Sequence, residues 1–149
     1  MSGATDPLPA LASDLGHDFQ DRGLLLQALT HRSYANEHPD ASDNEGLAFL
    51  GDAVLGLVVA EHLWRTGPGE DVGILTPRRA EIVSGTNLAR WAERVGLGAH
   101  LRLGRGEQTT GGRAKESVLA TALEAVLGVV YLEGGLAAAG RAIAQLAAW

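Results

Sequence analysis

Three observations predict an all-α domain for this 149-residue sequence. Apolar residues recur at helical spacing in segment after segment, and no stretch shows the apolar–polar alternation of a half-buried strand. The segments are punctuated by helix-start and helix-stop residues, with Thr76-Pro77 at one start and Gly16 and Gly134-Gly135 at stops. The length, with 46% hydrophobic and 20% charged residues, suits one globular unit with its own core.

Taken in order, residues 1–6 read as a loose tail. Pro7 to Leu15 forms a first helix that Gly16 ends. Asp21 to His31 forms a second, with Leu24, Leu25, Ala28 and Leu29 at helical spacing. Arg32 to Asp43 is polar, contains Pro39 and reads as a loop. Ser42 then stands three residues before Glu45, the S-x-x-E capping-box pattern, and opens the central helix over Asn44–Trp64, which runs to about Thr66. From Ala53 to Ala60 this helix has no polar side chain, and apolar residues cover nearly all its faces, which predicts a buried helix. The apolar run between Asp52 and Glu61 falls short of the ~20 residues a membrane span needs, so no membrane association is expected.

Gly67 to Gly73 is a turn. Leu75 to Val95 is a long helix opened by Thr76-Pro77, weakened in its middle by Gly85 at a cost of about 1 kcal/mol relative to alanine. Gly96 to Gly112 is a glycine-rich loop. Lys115 to Leu132 is another strongly apolar helix, stopped by Gly134-Gly135, and Leu136 to Trp149 is an alanine-rich last helix. No internal repeat and no second domain is visible, so the chain reads as one domain over 1–149.

The absence of cysteine removes disulfides, thiolate metal sites and cysteine nucleophiles. With no signal-peptide pattern in MSGATDPLPA, a cytoplasmic location is expected. A net charge of −6 argues against a broad nucleic-acid surface but leaves room for a local basic patch.

Two apolar helices carry acids. Asp52 lies in the central helix, where a carboxylate needs a pair, a hydrogen bond or a metal, and Glu45 lies two turns before it on the same face. Glu124 lies inside VLATALEAVLGVVYL. Acids on two separate apolar helices suit one hard cation, and magnesium often takes only one or two carboxylates plus water and substrate phosphate. Each acid also has a plain structural alternative: Glu45 as capping-box acid, Glu124 paired with an arginine, Asp52 bonded to backbone at a helix crossing. The glycine-rich stretch supplies candidate RNA contacts in Arg105, Gln108, Thr109, Thr110, Arg113 and Lys115, with an exposed solvated loop as the alternative. His31 suits either chemistry or a helix end where it satisfies a carbonyl, and Trp64 and Trp91 suit core or interface positions.

Four separated stretches resemble one family. Asn44–Glu61 is similar to the bacterial ribonuclease III signature N-E-R-L-E-F-L-G-D-A-V-L, and Ala28–Tyr34 to that family's A-L-T-H-x-S-Y. Leu103–Glu107 with Thr110–Arg113 resembles its L-G-x-G-E…T-G-G-R loop, and Ser117–Gly135 its S-x-L-A-D-x-x-E-A…Y-L-D-G-G helix. The resemblance implies the all-α ribonuclease III endonuclease fold, a homodimer through the Asn44–Trp64 helix, and magnesium-dependent cleavage of double-stranded RNA in ribosomal RNA maturation. It also implies a metal held by four acids, of which two carry over, as Asp52 and Glu124. The other two fall at Ala48 and Thr121, the signature arginine at Gly46, and a further family acid at Ile74. Glu45 keeps the first signature glutamate and joins Asp52 and Glu124 as a catalytic candidate.

A weakened magnesium site, served by manganese or by no metal, is therefore expected. The expected function is double-stranded RNA processing with impaired cleavage. The alternative is an inactive, dimeric RNA-binding or scaffolding protein of the same fold. The resemblance ends with the nuclease domain, so no double-stranded RNA-binding domain is expected, as in the short Mini-III type or in a shortened chain.

Overall fold

The structure is a computed structural model that describes residues 6–67 and 69–149, and among them it is all-helical, with one isolated bridge between Thr30 and Arg102. Eight α-helices follow one another: α1 Pro7–Leu15, α2 Arg22–Ala28, α3 Arg32–Glu37, α4 Glu45–Thr66, α5 Val72–Ile82, α6 Gly85–Arg94, α7 Arg105–Thr109 and α8 Glu116–Ala147. Two short 3-10 turns, Leu97–His100 and Gly112–Ala114, flank α7. The expected tail falls mostly outside the described residues, but Asp6 belongs to the fold. Its carboxylate accepts the Leu8 N–H as the α1 cap and pairs with Arg22 at 2.9 Å.

The centre of the molecule is α8, whose face from Val118 to Val130 is almost wholly buried, against α4, α6, α1 and α2. Its kink is at Gly135, where φ of 69° places the backbone in a region an L side chain rarely adopts. The backbone at Gly135 is non-helical, so the expected glycine stop does separate two helical segments within α8, the second running on to Ala147. Both α4 and α8 are long and apolar enough to cross a membrane, but each turns one face into the shared core.

Several expectations are corrected. The second helix stops at Ala28, short of His31. Residues 32–37 form α3 within the expected loop, because His31 caps it: the ring Nδ1 accepts the Ser33 N–H at 3.1 Å. His31 therefore satisfies a donor at a helix start, not a carbonyl at a helix end. The Ser42–Glu45 capping box does not form, and Asp43 accepts the Glu45 N–H at 3.0 Å in its place. Asn44 is buried and ties α4 to α2 by donating its amide to the Ala28 carbonyl at 3.0 Å. The long helix expected over Leu75–Val95 is two. Ser84 accepts the Asn87 N–H and starts α6, so the weak glycine at position 85 marks a break. The glycine-rich loop holds α7 as a single short helical turn.

The largest correction concerns α4. It is not apolar-buried all round: Leu47, Ala48, Gly51, Val54, Leu55 and Val59 face the core, while Asp52 is exposed. Phe49 at 83% exposure and Trp64 at 69% lie on the outer face with Leu57. Trp91, by contrast, is core.

One polar anchor locks the loop after α1 to α8. Glu133 is nearly buried, and its carboxylate accepts the Gln20 and Asp21 N–H groups at 3.0 and 2.8 Å and meets His17 Nε2 at 2.8 Å. Burial opposes its ionisation, but these bonds outweigh burial and hold the carboxyl below the usual range. A depressed folded-state pKa contributes stability above the unfolded value, lost as pH falls through the folded one. Glu133→Gln is expected to cost about 2 kcal/mol at neutral pH. The gap to wild type should close in acid, as read by thermal unfolding across pH.

Candidate functional site

The two expected acids meet where α4 crosses α8. The crossing is close because both helices carry glycine there. A Cβ at Gly51 would overlap the Glu124 carbonyl, and one at Gly128 would lie 2.5 Å from the Leu47 carbonyl oxygen. This backbone contact sets Asp52, on α4, beside Glu124, on α8, close enough for their carboxyls to share a hydrogen bond. Glu124 is half-buried and Asp52 is exposed, so the pair lies at the edge of the core.

Burial, then the hydrogen bond and charge of Asp52, push the Glu124 carboxyl up to about 8. At neutral pH Glu124 thus keeps its proton beside the charged Asp52. The sign for stability follows directly. An acid whose folded pKa is raised leaves the fold most stable below the unfolded value, and stability falls as pH rises through about 8. Glu124→Gln cannot ionise, so in a chelating buffer it should match wild type near pH 5. It should be more stable by about 2 kcal/mol near pH 9, the size allowed by solvent screening at a half-buried group.

Ala48 and Thr121 stand one turn before Asp52 and Glu124 respectively, on the same helix faces. Ala48 is buried and Thr121 half-buried. Among the described residues no group of three or more His, Asp or Glu side chains converges as a metal cage. Glu45 lies on the exposed face of the first turn of α4, with its carboxylate 3.7 Å from Arg32. Two carboxylates open to solvent fit a hard cation that keeps its waters and shares a phosphate, and do not fit an all-protein site.

The RNA-contact candidates divide sharply. Arg105 and Gln108 are exposed, and their side chains make no hydrogen bond among the described residues. Thr109 and Thr110 turn their hydroxyls back to donate to the Arg105, Gly106 and Glu107 carbonyls of their own helix. Arg113 donates to the Gly98 and Leu101 carbonyls at 3.1 and 2.6 Å, a bracing role. Lys115 pairs with Glu107 at 2.9 Å.

Two features escape a reading of the sequence. One is the Gly51–Gly128 crossing, signalled only by glycines standing inside strongly apolar helices. The other is a stack of Arg102, Tyr34 and His38, which comes from chain segments far apart and leaves no motif.

The comparisons with known proteins agree with the all-helical fold. Residues 21–148 match the family described as Ribonuclease-III-like. "Ribonuclease 3" of Symbiobacterium thermophilum is 52% identical over 130 residues, covering 87% of this chain and 55% of that protein. "Ribonuclease 3" of Pelotomaculum thermopropionicum is 48% identical, covering 99% of this chain and 62% of the relative. The chain thus spans roughly three-fifths of the length of the relatives it matches. Among solved structures, a nuclease domain of ribonuclease III from Campylobacter jejuni superposes with a TM-score of 0.86 at 36% identity, covering 93% of this chain and 95% of that one. Its description places structural flexibility in a region involved in dimer formation.

Proposed function

Because the chain belongs to the ribonuclease III family, we propose that it acts on double-stranded RNA as a nuclease domain whose magnesium-dependent cleavage is impaired. The observation that carries this reading is the Asp52–Glu124 pair at the α4–α8 crossing, with Ala48 and Thr121 at the two positions where the family pattern has acids. Asp52 and Glu124 are the residues that would hold the cation together with water and a substrate phosphate. Bound there, magnesium would supply Lewis-acid polarisation of the phosphate and an activated water. Glu124 must give up its proton for this, so cation affinity rises with pH. Glu45, beside Arg32, would help orient the substrate. Arg105 and Gln108 are the side chains free to meet the RNA backbone.

The outer face of α4 is the proposed seam with a second copy. Phe49, Leu57 and Trp64, continued by Val72 of α5 at 72% exposure, form an apolar surface that a symmetric partner would cover. The whole is read as a cytoplasmic RNA-processing protein acting on ribosomal RNA.

A second reading, a dimeric RNA-binding or scaffolding protein without cleavage, is favoured by the same Ala48 and Thr121. Incubation of long duplex RNA with the chain at high magnesium, and separately manganese, decides between them. Under the first reading, slow cleavage appears and Asp52→Asn abolishes it. No product above that variant, with salt-sensitive duplex binding retained, selects the second. Failure to bind duplex RNA at low salt rejects both.

A further inference from the structure

Away from the acid pair, α3 and the strand-like segment before α7 build a second surface whose chemistry the proposed cleavage does not use. Tyr34 is its centre. The His38 ring lies parallel to it, with centroids 3.8 Å apart and planes within 10°. The Arg102 guanidinium sits over the ring, 4.8 Å from its centroid, and must take the face His38 leaves free. Arg102 Nε is tied to the Thr30 hydroxyl at 2.9 Å, and His38 Nδ1 to the Tyr34 carbonyl at 3.0 Å, so the stack is braced at both ends. His38 is exposed and lines two neighbouring cavities, one of about 400 Å³ shared with Arg102, Glu37 and Asp40, the other reaching Arg105.

From this geometry we infer that the His38–Tyr34–Arg102 ledge receives an unpaired nucleobase of the RNA, guanine above the others. A flat aromatic end-face held by a braced stack is what base stacking needs, and unpaired bases are the part of RNA that proteins read by edge. The edge chemistry selects the base. Glu37 has one carboxylate oxygen on the Arg105 N–H at 2.9 Å and one free, and Asp40 lines the same cavity, so the polar wall on that side accepts hydrogen bonds. Guanine alone presents two adjacent donors, N1–H and N2–H₂, to a carboxylate. The remaining N–H groups of Arg102, and Arg105 next to it, supply the positive charge a flanking phosphate needs.

This inference rests on the proposed duplex-RNA binding, and its test separates the two. A duplex RNA carrying a single-nucleotide overhang of 2-aminopurine reports stacking through fluorescence quenching. It is compared with a blunt duplex and with overhangs of guanine and adenine in competition. Wild type is expected to quench the probe, His38→Ala to lose the quenching while keeping blunt-duplex affinity within about twofold, and guanine overhangs to compete at least about fivefold better than adenine, the scale of one hydrogen bond. Binding of the duplex without quenching overturns the base site and leaves RNA binding intact. Equal quenching by His38→Ala overturns it as well. Absence of duplex binding overturns both.

Discussion

Placing acids at the two positions where the proposed reading expects them, Ala48→Glu together with Thr121→Asp, is expected to raise magnesium-dependent cleavage of duplex RNA by about 100-fold or more, the scale of losing or regaining one electrostatic element of an active site. The positions are right for it. Ala48 is one turn from Asp52 and Thr121 one turn from Glu124, so both new carboxylates join the existing pair at the same helix crossing. Doubling the carboxylates from two to four also tightens the cation, which calorimetric titration with magnesium reads independently of turnover. Thr121→Asp is close in volume at a half-buried site, whereas Ala48→Glu must push a longer side chain out of a buried one. The single Thr121→Asp therefore serves as the variant whose folding is least at risk, with a smaller gain in both readouts. A double variant that melts like wild type, binds magnesium more tightly and still cleaves nothing would show that RNA does not pass this crossing.

Gly51→Ala is expected to destabilise the protein by about 3 kcal/mol, although helix propensity alone favours it by about 1 kcal/mol. A methyl group there overlaps the Glu124 carbonyl, so α4 and α8 must separate along the contact that organises the core. Gly128→Ala pushes from the other side, toward the Leu47 carbonyl. Gly56→Ala on the same helix is the control: nothing lies within 4 Å of its Cβ, and it should gain about 0.5 kcal/mol through the unfolded chain. Urea midpoints at unchanged slope measure all three. The crossing variants also carry a chemical signature, because parting the helices separates Asp52 from Glu124 and lets the Glu124 carboxyl titrate lower. Equal midpoints for Gly51→Ala and Gly56→Ala would mean the helices do not meet there.

Much of the fold was legible because local rules and packing agreed. Pro7–Leu15 ends at Gly16 with φ of 60°, a stop that glycine makes cheap. Glu45–Thr66 is one uninterrupted helix because its apolar run leaves no competing turn chemistry. Where two local signals compete, the sequence alone does not say which one wins. Thr76-Pro77 has the form of a helix start, but Asp71 caps α5 earlier in the chain and Pro77 lies inside that helix, while Ser84 takes the second start. Ser42 lost its cap to Asp43 because the chain enters α4 from a turn that brings the nearer carboxylate to the Glu45 N–H. The candidate basic contacts could not be sorted from the sequence either. Arg113 and Arg105 read alike, yet one is spent on two carbonyls and the other is free, a difference made by segments far from both.

What the sequence by itself determined is the helical class, the helix that carries Asp52, and the family, since periodicity and motif spacing are properties of the chain. The tertiary structure alone decided that α4 has an exposed apolar face, that Asp52 and Glu124 come together at a glycine-to-glycine crossing, and that His38, Tyr34 and Arg102 stack. Each of these depends on the distance between elements remote in sequence, and that distance is set by which backbone can approach which.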